Sequence, residues 1–299
     1  MIPQPTPAAA FRLTLARGQE LLLVPYRPLL VGVVNITPDS FSDGGQFLEP
    51  ERAIDHALRL IDEGADLLDL GAESTRPRGT VYGAGARELP ADEEIARLLP
   101  VVEGLRRRSG IPISVDTRKA AVARAALDAG ADLLNDVSGL DDPETAALAA
   151  EIRCPVVLMH HRGIFSTNGS VASTWRGIEE VRGGLDAALS RALAAGCRRE
   201  QIVLDPGLGF GKRGRQNLEL LRRLPELLDL GCPLLVGASR KSFLGEIAGI
   251  ETPAERLPES LAAAAWAASG GASLLRVHDV GATRRFLAAF AAIEAGATE

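Results

Sequence analysis

From residue 28 onward, short apolar runs alternate eight times with longer stretches whose apolar positions recur every three to four residues. The runs occupy 29–35, 66–72, 112–116, 132–137, 155–160, 202–205, 233–238 and 272–277. They are rich in Val, Ile and Leu, the pattern of parallel strands covered on both faces. Between and after them, helical patterns span about 51–64, 92–109, 118–130, 143–152, 176–196, 216–230, 254–270 and 281–296. Gly64, Gly110, Gly130, Gly196 and Gly231 stand at helix ends, where glycine readily adopts a left-handed cap. Upstream, residues 11–27 alternate apolar and polar positions around Arg17-Gly18, which predicts a short hairpin.

Eight βα units with no Pro/Ser-rich linker predict an α/β chain forming a single (β/α)8 TIM barrel over 28–299. Residues 1–27 then form an N-terminal extension and a β-hairpin capping the barrel base. An open doubly wound sheet would show the same alternation, because periodicity alone does not demonstrate closure.

Composition narrows the function classes. Hydrophobic residues are 46% of the chain, enough for one large core, and with aromatics at 4% that core is built of Ala, Leu and Val. A net charge of −6 offers no positive field for nucleic acid or an anionic membrane. No apolar stretch approaches the roughly 20 residues of a membrane span. The N-terminal stretch lacks the basic-then-apolar layout of a secretory signal. Cys154, Cys197 and Cys232 are widely spaced without a CxxC pair, which reads as buried thiols in a cytoplasmic protein.

In barrels the chemistry sits at the C-terminal ends of the strands. Those positions here hold Asn35, Glu73 to Arg76, Asp116, Asn135, His160, Asp205, Ser239 to Lys241, Arg276 and His278. Carboxylates and amides can read the edge of a heterocycle, while cations and hydroxyls can hold phosphate oxygens. Among 33 basic residues only Lys119, Lys212 and Lys241 are lysines, and all three fall just beyond strands. Exposed helix surfaces use Arg instead, so these exceptions point toward the rim, Lys241 most strongly and Lys119 least.

The segment Val31-Gly-Val-Val-Asn-Ile-Thr-Pro-Asp-Ser-Phe-Ser-Asp-Gly-Gly45 breaks from a buried strand into a polar loop. It is followed in order by Asp69-Leu-Gly-Ala-Glu-Ser-Thr-Arg-Pro77, Ser114-Val-Asp-Thr117, Asn135-Asp-Val-Ser-Gly139 and Leu158-Met-His160. Asp205-Pro-Gly-Leu-Gly-Phe-Gly-Lys212, Gly237-Ala-Ser-Arg-Lys-Ser242 and Arg276-Val-His-Asp-Val280 complete the series. Together these motifs resemble the dihydropteroate synthase family over most of residues 30–281.

The resemblance implies condensation of (7,8-dihydropterin-6-yl)methyl diphosphate with 4-aminobenzoate, giving 7,8-dihydropteroate and diphosphate. Under it, Asp205 and Asn135 pair with the amino-pyrimidine edge of the pterin. Asp116 accepts from another ring N–H and stabilises positive charge growing on the ring. Lys241 donates to the ring, and Val137, Met159 and Phe210 supply apolar walls. Arg276 and His278, with Thr75 and Asn35, suit the diphosphate, and Asn35 offers an oxygen to Mg²⁺. Ser239 and Arg76, with Phe41 and Pro77, suit aminobenzoate under closing loops at 36–45 and 73–80. The catalytic set is thus Asp116, Lys241 and Asn35. Partners are small molecules and a second copy of the chain, in a homodimer through the late helices.

Plainer readings stand beside these. Asp205-Pro-Gly-Leu-Gly-Phe-Gly spaces its glycines GxGxG after the sixth unit, unlike a dinucleotide fingerprint. Asn35 can cap a turn, Asp116 can cap the following helix, and His160 can be a packed strand-end histidine. Asp39 and Asp43 can be turn formers. A pterin-binding barrel serving methyl transfer to a corrinoid protein would share the Asp/Asn pocket but needs no diphosphate clamp. A silent paralogue kept as a binding module is the other alternative. The chain departs from the family's pattern at 78–90, longer and glycine-rich, and after Met159-His160, both at the rim where aminobenzoate would enter.

Overall fold

A computed structural model describes residues 10–36, 48–73, 89–162 and 174–296. Strands β1 (Phe11–Thr14) and β2 (Glu20–Leu23) form the expected antiparallel hairpin, in register from Phe11↔Leu23 to Thr14↔Glu20. Eight parallel strands follow: β3 (Leu29–Asn35), β4 (Leu67–Gly71), β5 (Ile113–Asp116), β6 (Leu133–Asp136), β7 (Val156–Met159), β8 (Ile202–Asp205), β9 (Leu235–Val236) and β10 (Leu274–Val277). Their spatial order is β8-β7-β6-β5-β4-β3-β10-β9. The remaining seam, between β8 and β9, is joined by the parallel bridge Leu204↔Leu234 and by Leu204 N donating to Pro233 O at 2.9 Å. The sheet therefore nearly closes into the predicted barrel. At this seam the strand expected over 233–238 shortens to two residues. Pro233 has no N–H to give the ladder, and the chain leaves it at Gly237.

Helices α1 (Leu48–Asp62), α2 (Ala91–Arg108), α3 (Ala120–Asp128), α4 (Pro143–Ile152), α5 (Ile178–Ala194), α6 (Gly214–Arg222), α7 (Ser242–Ala248), α8 (Leu257–Ser269) and α9 (Val280–Ala295) lie among the strands. Three differences from the periodicity have local causes. The pattern at 216–230 splits at Arg223, because Pro225 cannot continue an α-helix, and Leu224–Leu230 is 3-10. The seven-residue α7 is too short to have shown a period. Gly110 is not a left-handed cap: α2 ends at an extended Ser109.

Strand side chains alternate between two cores. Leu30, Val34, Leu68, Leu70, Val115, Leu134, Leu158, Leu204 and Leu275 face outward and pack under the helices. Val31, Leu67, Leu133, Val157, Val203, Leu235 and Leu274 face the barrel interior near its base, where Leu13, Leu15 and Leu23 of the hairpin fill the opening. Burying each such leucine is worth roughly 1.5–3 kcal/mol. The hairpin is also tied by charge. Asp132, fully buried before β6, accepts from Arg17 Nε at 2.8 Å, from Ile113 N at 2.8 Å and from Arg106.

Candidate active site

The interior alternation explains how one barrel end becomes polar. Two residues beyond each basal apolar position the next inward side chain follows, and these are Asp69 after Leu67, Asn135 after Leu133, Met159 after Val157, Asp205 after Val203 and Arg276 after Leu274. Asn35 and Asp116 occupy the equivalent ends of β3 and β5, with Gly71 paired to both. A layer of leucine and valine thus gives way, one step up the barrel, to a layer in which carboxylates, an amide and a cation stand beside Met159 and Val33.

Four of these groups share one network. Asp69 Oδ2 accepts from Arg276 Nε at 2.6 Å and from Asn135 Nδ2 at 3.1 Å. Arg276 Nη2 also reaches Asp116 Oδ2 at 3.5 Å. Asp69 is 1% exposed and its Oδ1 has no partner among the described residues. Burial, then the like charge of Asp69, pushes the Asp116 carboxyl up to about 8, although Arg276 opposes the rise. Burial works against the Arg276 charge, but Asp69 and Asp116 more than offset it and hold the guanidinium above its ordinary range.

The opposite wall comes from the loop after β8. Asp205 Oδ1 accepts from Gly207 N at 2.7 Å, and burial raises its pKa. Lys241 donates to Leu208 O, and its ammonium lies 4.7 Å from the centre of the Phe210 ring. Burial pulls Lys241 down to about 8, against the attraction of Asp205. This loop passes through Gly207, Gly209 and Gly211, all at positive φ, and a Cβ on Gly207 would lie 1.9 Å from the His160 carbonyl oxygen. Only glycine permits so close an approach.

Lys241 and Ser239 flank Arg240, which holds a left-handed φ of +59°. Arg240 N donates to Ser260 Oγ at 2.9 Å, its carbonyl accepts from Arg256 Nη1 at 2.9 Å, and its guanidinium clasps Asp279. That turn aims Ser239 Oγ at His278, 3.1 Å from Nδ1 and 3.2 Å from the backbone N. Val137 and Met159, each 3% exposed, lie just beyond β6 and at the end of β7.

The fold therefore brings Asp116, Asn135 and Arg276 into one contact network. Asp205, Lys241 and Phe210 gather around the loop after β8, and Ser239 and His278 form a pair on the last two strands. Thr75, Arg76, Phe41, Pro77, Asp39, Asp43 and most of both loops expected to close lie outside the described residues, as do most of the departures at 78–90 and after His160. Asp116 does not cap a helix, because α3 begins at Ala120 with Lys119 at its N-cap. Lys119 instead donates to Glu73 at 3.0 Å and to buried Glu94 at 2.6 Å, while Glu73 Oε1 accepts from Leu89 N at 2.9 Å. His160 is a packed residue, driven to about 2 by burial and by the Lys212 cation, with helix α5 close against it at Gly184. Asp69 was missed as a site residue. Its inward phase, two residues after Leu67, was the available signal.

A profile of pterin-binding enzymes matches residues 31–278. The chain is 45% identical over 264 residues to dihydropteroate synthase from Synechocystis, covering 88% of this chain and 89% of that one. The fold superposes with a TM-score of 0.87 on Xanthomonas albilineans dihydropteroate synthase solved with 4-aminobenzoic acid, at 44% identity, covering 96% of this chain and 100% of that one. The same enzyme in complex with 7,8-dihydropteroate gives 0.81 at 38% identity, covering 95% and 99%. The chain thus belongs to the pterin-binding enzymes and, among them, to the transferases known as dihydropteroate synthases.

Proposed function

We propose that the chain condenses (7,8-dihydropterin-6-yl)methyl diphosphate with 4-aminobenzoate, releasing 7,8-dihydropteroate and diphosphate. One observation carries this reading: Asp69 joins Asn135 to Arg276, which in turn reaches Asp116, all in the interior layer above the basal leucines. That layer offers acceptors for a donor-rich ring beside a cation for an anion. Asn135 and Asp205 would take the amino-pyrimidine edge, and Asn135 has its amide nitrogen committed to Asp69, which leaves its oxygen to accept. Val137, Met159 and Phe210 would enclose the ring faces. Arg276 and His278 would hold the diphosphate, with Thr75, and Ser239 and Arg76 would receive aminobenzoate.

In the reaction the C–O bond to diphosphate breaks and the neutral arylamine forms a C–N bond to the same methylene carbon. The amine then loses its proton. Ionised Asp116 would stabilise positive charge developing on the ring, and Lys241 would hold the ring oxygen or nitrogen. The arylamine is nucleophilic without help from an activated serine or cysteine.

This reading includes Mg²⁺. Asn35 ends β3 beside β10, which carries Arg276, and supplies one neutral amide oxygen. No group of three His, Cys, Asp or Glu side chains forms a metal cage among the described residues. A single amide ligand suits a cation that takes its other positions from phosphate oxygens and water. When bound, Mg²⁺ would neutralise charge on the departing diphosphate.

We further propose a cytoplasmic homodimer joined through the late helices. Trp266 on α8, Ile247 on α7 and Leu218 on α6 expose apolar surface, and no helix of the described residues is long and apolar enough to cross a membrane. A monomer in sedimentation equilibrium at micromolar concentration would remove that part of the reading.

The test of activity is incubation of purified protein with the dihydropterin diphosphate, Mg²⁺ and radiolabelled 4-aminobenzoate. Labelled dihydropteroate is expected only when all three are present, and Asn35→Ala is expected to raise the Mg²⁺ concentration giving half-maximal rate. Product formed equally well from a dihydropterin lacking diphosphate, or no product at all, would refute the assignment.

A further inference from the structure

Lys212 is 4% exposed, yet among the described residues no carboxylate accepts a hydrogen bond from it. Its ammonium donates to three main-chain carbonyls: His160 O at 3.1 Å, Gly207 O at 2.7 Å and Phe210 O at 3.3 Å. Burying an ammonium costs several kcal/mol unless its donors are met, and here each N–H has an acceptor. The carbonyls come from two loops. His160 follows β7, whereas Gly207 and Phe210 follow β8.

Asn217, on α6 and 1% exposed, ties the same segment from the other side. Its Oδ1 accepts from Gly209 N at 2.7 Å, and its Nδ2 donates to Lys212 O at 3.0 Å. Residues 207–211 run through three glycines at positive φ and lie outside the strands. A loop so free in the unfolded chain takes one shape only where side chains impose it.

We propose that Lys212 and Asn217 are positioning residues for the pterin half of the site: they staple residues 207–211 so that the Phe210 ring and the Leu208 carbonyl, to which Lys241 donates, stand where the ring must bind. The inference rests on the pterin-binding reading given above. It assigns no contact between Lys212 and substrate. It also predicts an effect on one substrate: the stapled segment carries Phe210 and the acceptor of Lys241, both proposed for the pterin ring, whereas aminobenzoate is proposed to meet Ser239 and Arg76.

The experiment measures calorimetric binding of the dihydropterin diphosphate with Mg²⁺, together with steady-state kinetics, on full-length wild type, Lys212→Met and Asn217→Leu. Wild-type binding is required by the functional reading, and its absence sinks that reading along with this one. With wild-type binding present, Lys212→Met is expected to weaken the pterin Kd about ten-fold or more, with the aminobenzoate KM nearly unchanged. Asn217→Leu is expected to shift the same constant in the same direction. An unchanged pterin Kd, or equal changes toward both substrates, overturns the inference while leaving the functional reading intact. If Lys212→Met does not fold, Asn217→Leu decides by the same readout. If neither folds, the two residues serve folding rather than positioning, and the proposal falls.

Discussion

Asp69 Oδ2 and Arg276 Nε lie 2.6 Å apart inside the barrel, although 207 residues separate them along the chain. Their strands are each neighbours of β3 on opposite sides, and both side chains occupy the same interior layer. Asp69 accepts at once from Arg276, the cation proposed for the diphosphate, and from Asn135, the amide proposed for the ring edge. Its orientation of Asn135 makes that residue an acceptor rather than a donor toward the pocket.

Asp69→Asn removes the charge while keeping the shape. Losing a charged hydrogen bond of this kind costs about 1.5–3 kcal/mol, so kcat/KM for the pterin substrate is expected to fall roughly ten- to a hundred-fold. Initial rates at varied dihydropterin diphosphate check this. A variant with wild-type kcat/KM would show that Asp69 has no hand in aligning Arg276 or Asn135.

Asp116 has its pKa raised to about 8 from 3.8 by burial and by Asp69. The folded chain keeps this proton where the unfolded chain has lost it, so the group's contribution to stability is complete below the unfolded value and vanishes as pH rises through about 8. Asp116→Asn is therefore expected to flatten the decline of Tm over that range. In the same window kcat/KM is expected to rise with pH as Asp116 ionises, then fall as Lys241, itself near 8, loses its charge. A profile flat from neutral to mildly alkaline pH would count against both roles.

Lys241→Met trades function for stability. The ammonium's pKa is lowered by burial, so below about 8 its charge opposes folding, and removing it is expected to leave Tm unchanged or higher at neutral pH. Activity is expected to drop about a hundred-fold through loss of the charged donor proposed for the ring. Calorimetry beside kinetics distinguishes this from a folding defect, which would lower Tm and activity together.

Leu23→Ala tests the hairpin plug. The side chain is fully buried with Val31, Leu67 and Leu274, and truncation is expected to cost about 2–5 kcal/mol of stability. Substrate KM values are expected to stay at wild-type levels, since the polar layer lies further along the strands. Denaturant titration and kinetics on one preparation measure both. A large KM change would mean that the base and the mouth are mechanically coupled.

The strands and most helices were readable because Val/Leu/Ile runs and 3.6-residue periods are local properties, and so were the polar strand ends from Asn35 to His278. The sequence also marked Lys212 and Lys241 as exceptions in an arginine-rich chain. Asp69, a carboxylate inside what read as a continuous apolar strand, was marked only by its inward phase two residues after Leu67, and α7 is too short to carry a period. The sequence could not say that Lys119 pairs with Glu73 and Glu94, or that Lys212 ends on backbone carbonyls. Those outcomes depend on which strands become neighbours and which side of each faces inward. Local pattern decides what a segment becomes; only closure of the sheet decides which distant charges share a desolvated space, and there their mutual fields shift pKa values and fix orientation.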